Sequence, residues 1–149
     1  MSDYDTDLLL WSERQAALLR RAAAGERDND QVDWENVAEE IESLGRSDRR
    51  ELHNRVATIL VHLIKLTTSP TEGPRTGWRE TILEQRRRVA RLLKESPSLR
   101  PDLSQVIAEE IGDARAQAAV ALQGYGEQPL VDPAGLDFTT EQVLGPWLP

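Results

Sequence analysis

Apolar residues recur at spacings of three and four along most of this chain, the period of a helix with one buried face. Leu8, Trp11, Gln15, Leu18 and Ala22 form the first stripe, widened by Leu9 and Leu19. Asp5 or Thr6 is placed to cap its start and Gly25 to end it. After a polar link, Asp28 to Asp30, a second series opens at a capping Asp33: Trp34, Val37, Ile41 and Leu44, then Leu52, Val56, Ile59, Leu63 and Leu66. Gly45-Arg46-Ser47 lies between its halves, and a glycine followed by a capping residue permits a break there, so one helix and two both stay open. Thr67 to Gly77 carries Ser69-Pro70 and Gly73-Pro74 and reads as a loop. A third stripe, Trp78, Ile82, Gln85, Val89, Leu92 and Leu93, stops at Ser96-Pro97-Ser98. Ser98 then caps a fourth, Leu103, Val106, Ile107, Ile111, Ala114, Ala118 and Ala121, with Pro101 tolerated in its first turn.

No stretch alternates strictly enough to compete as a strand. The pattern therefore predicts an all-α fold, a helical bundle of about four helices with an extended C-terminal strap. Residues 1-127 form the bundle domain and 128-149 the strap, which holds four prolines and two glycines. Leu130, Val131, Leu136, Phe138, Val143, Leu144, Trp147 and Leu148 make it too apolar for a solvated tail. It is expected to pack on the same domain or on a partner chain, with a helical turn from Thr140.

Composition narrows the chemistry. The 149 residues suffice for one core, and the absence of cysteine removes disulfides, thiolate nucleophiles and zinc-thiolate sites together. That absence also fits a reducing compartment. No apolar run approaches the roughly 20 residues of a bilayer span and no signal stretch opens the sequence, so the expected location is cytoplasmic. The net charge of -8 is unevenly spread. Residues 1–42 hold 12 acids against 4 bases, 43–100 hold 6 against 13, and 101–149 hold 8 against 1. Such a chain can fold its basic middle between its acidic ends.

Candidate sites follow from spacing. His53 and His62, nine residues apart, point to opposite sides of a straight helix and cannot share one ion. Glu35, Glu39 and Glu42 form a column that Arg46 continues, and such a column implies solvent or a cationic counterpart. The Glu-x-x-His signature of a di-iron bundle is missing, so neither metal nor cofactor is expected. On the third helix Arg79, Arg86, Arg87, Arg88, Arg91 and Lys94 raise nucleic-acid binding. The negative total charge opposes it, and Glu109, Glu110 and Asp113 on the next helix stand ready to neutralise the cations. Counted from Pro97, Arg86 and Glu110 fall level, which predicts a salt bridge between them. Trp11, Trp34 and Trp78 sit in phase with their stripes and are expected in the core.

The string Glu39-Glu40-Ile41-Glu42-Ser43-Leu44-Gly45-Arg46-Ser47, then His62-Leu63-Ile64-Lys65, Trp78-Arg79-Glu80-Thr81-Ile82 and Ser96-Pro97-Ser98-Leu99, resembles the bacterial domain-of-unknown-function family 29. Tyr4-Asp5-Thr6-Asp7 with Trp11 and Gln15-Ala16-Ala17-Leu18-Leu19 is similar to that family's start. The resemblance implies a small helical bacterial protein and no particular activity. Leu66 stands where the pattern leads one to expect tryptophan, and Ser69 where glutamine is usual.

Functionally, the absence of a catalytic constellation beside abundant charge and docking-type apolar segments favours a small helical interaction module. It is expected to form a homo-oligomer or bind a protein partner, with no membrane and with nucleic acid disfavoured by the charge. The rival is a metal-binding or enzymatic bundle built on Glu39, Glu42, Arg46, His62, Lys65 and Trp78. Nucleic-acid binding through the basic third helix is the third reading.

Overall fold

A computed structural model describes residues 3–25 and 31–149 of the chain. Among them every regular element is helical: α1 (Asp3–Thr6), α2 (Leu8–Ala23), α3 (Trp34–Thr68), α4 (Arg75–Glu95), α5 (Leu103–Gly124) and α6 (Thr140–Leu144). The expected all-α class stands, with α2, α3, α4 and α5 as its long helices. No helix among the described residues is long and apolar enough to cross a membrane. The polar link expected at Asp28 to Asp30 lies outside the described residues.

Contacts divide the chain into two compact units, Met1–Ser47 and Asp48–Pro149, with the strap residues in the second.

In the first unit α2 is capped by Asp7, whose carboxylate accepts from the Leu10 amide at 2.9 Å, rather than by Asp5 or Thr6. Asp33 organises the start of α3. Its carboxylate accepts from the Asn36 amide at 3.4 Å, from Asn36 Nδ2 at 2.8 Å and from Trp11 Nε1 at 3.3 Å, while its own amide donates to Gln15 at 2.8 Å. The hydrogen bonds from Asn36 and Trp11 hold the Asp33 carboxyl below its usual range. Tyr4 stacks edge-on against Trp11, with centroids 4.9 Å apart, and donates to Glu40 at 2.7 Å. Hydrogen bonding to Glu40 raises the Tyr4 hydroxyl pKa.

The second unit carries the main core. Leu52, Val56, Ile59, Leu60, Leu63 and Ile64 of α3 are fully or almost fully buried against Ile82, Val89 and Leu93 of α4 and Leu103, Val106, Ile107, Ile111, Ala114 and Ala118 of α5. Each large aliphatic side chain so buried contributes about 1.5–3 kcal/mol relative to exposure. Gly45 does not break α3, which is one helix. The loop after it is shorter than the breakers imply, because α4 starts at Arg75, right after Pro74. Proline in that position costs little, since the first amides of a helix have no helical acceptor. Pro97–Asp102 forms a 3-10 turn before α5, so Ser98 lies inside that turn and does not cap the helix.

The strap is extended apart from the turn Pro133–Gly135 and α6. A capping box starts α6: Thr139 Oγ1 accepts from the Gln142 amide at 3.1 Å and the Gln142 side chain accepts from the Thr139 amide at 2.9 Å. Phe138 and Val143 join the core, with Leu136, Leu144 and Leu148 partly buried against it. Leu130 and Val131 remain exposed.

Candidate interaction surface

The apolar stripe that opens α3 is turned to solvent. Trp34 is 53% exposed, Ile41 63% and Leu44 70%, with Val37 between them half-buried. This corrects the expectation that Trp34 anchors the core. At 100° per residue the four fall within a strip of about 80° on one side of the helix. The inner side of the same segment goes to Asn36 and Glu40, which make the polar contacts with Asp33 and Tyr4. The only buried hydrophobic side chains among the described residues of this unit are Trp11 and Val32.

The carboxylate column runs along the side of α3 away from most of the stripe, nearest to it at Trp34. Arg46 Nη2 lies 2.6 Å from Glu39 Oε1 and its Nη1 3.7 Å from Glu42 Oε2, all three side chains at least half exposed. The column thus finds its cation one or two turns along the same helix. No cluster of three or more His, Asp or Glu side chains arranged for a metal ion occurs among the described residues.

The other members of the candidate cluster belong to the second unit. His62 is half-buried and its Nδ1–H donates to the Thr58 carbonyl at 2.8 Å. Burial pushes its pKa down and the Lys65 charge acts in the same direction, against the opposing pull of the Thr58 carbonyl. Lys65 Nζ lies 5.8 Å from the centroid of the Trp78 ring, a cation–π arrangement, and Trp78 packs on the core edge.

The predicted Arg86–Glu110 salt bridge does not form. Arg86 is 8% exposed and spends its guanidinium on the strap: Nε donates to the Val143 carbonyl at 2.8 Å, and Nη2 to Gln142 at 2.8 Å and Trp147 at 2.6 Å. Its Nη1 is buried without a hydrogen-bond partner among the described residues, and desolvation lowers the pKa of the guanidinium. Glu110 instead meets His53 Nδ1 at 2.8 Å, with Glu109 at 3.8 Å from Nε2. The level register assumed that opposite charges on adjacent helices choose each other, whereas backbone carbonyls in the strap fill the space beside Arg86. Arg115 of α5 has a matching role that sequence reasoning missed, its Nε donating to the Leu136 carbonyl at 2.6 Å. The available signal was that Arg115 is the lone cation after residue 100.

Of the remaining cations of α4, Arg87, Arg88, Arg91 and Lys94 are exposed, whereas Arg75 and Arg79 are half-buried. Arg79, Leu83, Arg87 and Lys94 share a strip of about 80°, and Leu83 is 54% exposed. Arg87 and Arg88 share Glu84, whose carboxyl is held low chiefly by its hydrogen bond from Arg88. A cleft of about 560 Å³ runs beside them, lined by Arg55, Arg88 and Arg91 and by Glu51, Glu84 and Glu95, each arginine there already paired with one of the carboxylates.

A family model described as "Domain of unknown function DUF29" matches residues 4–148. An alpha-helical protein of unknown function from Rhodospirillum rubrum, solved by crystallography, is 28% identical over 98% of this chain and 91% of its own, with a TM-score of 0.64. No curated protein matches the chain.

Proposed function

Because the chain belongs to the family described as domain of unknown function DUF29, a membership that brings a helical fold and no activity, we propose from its own surfaces that it is a helical protein–protein interaction module that self-associates. The observation that carries this reading is the exposed stripe Trp34, Ile41 and Leu44 in a unit whose described residues bury so little. Segments of this size rarely bury enough apolar surface alone, and a contiguous apolar strip rimmed by charge is the usual form of a docking face. Burying Trp34 would supply the aromatic anchor on which interface energies concentrate. The chain has no cysteine, which supports placing the module in a reducing, cytoplasmic setting.

Sedimentation of the full chain across the micromolar range is the test. The wild type is expected to associate with rising concentration and Ile41→Glu to remain monomeric. Because Ile41 is exposed, its substitution should change folding stability by no more than about 0.5 kcal/mol. A wild type that is monomeric throughout would overturn the reading.

A further inference from the structure

We propose, on the basis of the self-association reading, that the α3 stripe docks on the basic face of α4 in a second copy of this chain. Charge selects this occupant. Residues 1–47 hold 12 acids and 5 bases, net -7, whereas 48–149 hold 14 and 13, net -1. Pairing two stripes face to face would bring together two strongly acidic units, and like charge across an interface is costly. Within the second unit, α4 is the cationic element, with 7 bases against 3 acids.

The surfaces also match in kind. Glu35 and Glu42 lie on the Trp34 side of the stripe, about 80–100° around the helix from Trp34, and nearly opposite Leu44. On α4, exposed Leu83 lies between Arg79 and Arg87, with Lys94 further along the same strip. The strip itself contains no carboxylate. Arg and Lys stems are aliphatic and cover apolar surface while their heads reach outward. Laid on the Trp34 edge of the stripe, the stems meet Trp34 and Ile41, a guanidinium can lie on the Trp34 ring, and the heads reach toward Glu35 and toward Glu42, where they compete with Arg46. The contact joins two different surfaces, so it is heterologous, and the copy number follows from whether the geometry closes as a reciprocal pair or a ring.

Two double variants test it by sedimentation and light scattering, with circular dichroism and thermal melting as folding checks. Glu35→Lys with Glu42→Lys makes the stripe basic, and Arg79→Glu with Arg87→Glu makes the α4 face acidic. Each variant alone is expected to be monomeric, and an equimolar mixture to recover association, because each then offers what the other needs. Wild-type association should weaken severalfold as salt rises, since exposed charge pairs are screened. If Arg79→Glu with Arg87→Glu still associates while Ile41→Glu does not, the stripes pair with each other; the α4 assignment falls and the interaction module stands. A wild type that stays monomeric defeats both, and if that monomer is retained on heparin through Arg79 and Arg87, the α4 face is a polyanion surface instead.

Discussion

Arg86 shows how one side chain can hold a segment more than fifty residues away in sequence. Its three hydrogen bonds end on the carbonyls of Gln142, Val143 and Trp147, groups that need a donor once water is excluded. Charge-assisted bonds of this kind are each worth about 1.5–3 kcal/mol, and truncation leaves the acceptors buried. Arg86→Met should therefore cost about 2–4 kcal/mol in denaturant unfolding, less than the sum because the three bonds act together. Hydrogen exchange should quicken first in residues 139–148. Arg86→Lys should not rescue it, because an ammonium lacks the planar fork that reaches three acceptors.

His62 offers a second test at this scale. Unfolded, its imidazole titrates near 6.5, and burial holds the folded value lower. Between the two the unfolded chain binds more protons, so acidification favours unfolding. The contribution is whole above about 6.5 and is lost as pH falls toward the folded value. His62→Gln is expected to remove that part of the fall in melting temperature between neutral and mildly acidic pH. A variant whose pH profile parallels the wild type would refute the assignment.

At the scale of elements, α3 answers the question its sequence left open. Gly45 sits within one uninterrupted helix, and a Cβ there would meet nothing within 4 Å. Gly45→Ala should therefore stabilise the chain by about 0.5–1 kcal/mol, the difference in helix propensity. A loss of stability would mean that the glycine serves a bend. Helix phases were legible because burial on one face imposes the 3.6-residue period, and the stripes of α4 and α5 are buried nearly position for position. The same rule explains the Trp34 misplacement. A 3.6-residue apolar period marks one face of a helix and reads the same whether that face is buried, as in α4 and α5, or exposed, as at Trp34, Ile41 and Leu44.

At the scale of the whole molecule, the division at Ser47–Asp48 falls at Gly45-Arg46-Ser47, where the sequence left a break open, but α3 runs through it as one helix, because a single glycine costs a helix only about 1 kcal/mol. The strap was legible as apolar, and Phe138 and Val143 lie in the core. Its fastening was not, because Arg86 and Arg115 bind carbonyls, and every residue has one. Of the candidate cluster, Glu39, Glu42 and Arg46 fall in the first unit and His62, Lys65 and Trp78 in the second. The uneven charge survives as the most useful reading of the sequence, since it assigns almost all of the net negative charge to the unit that shows its apolar face.

The fastening of the strap also sets what a shortened chain would lose. Without residues 138–148 the core gives up Phe138 and Val143, and the Arg86 guanidinium gives up all three of its carbonyl acceptors and must turn to water beside an uncovered edge of the core.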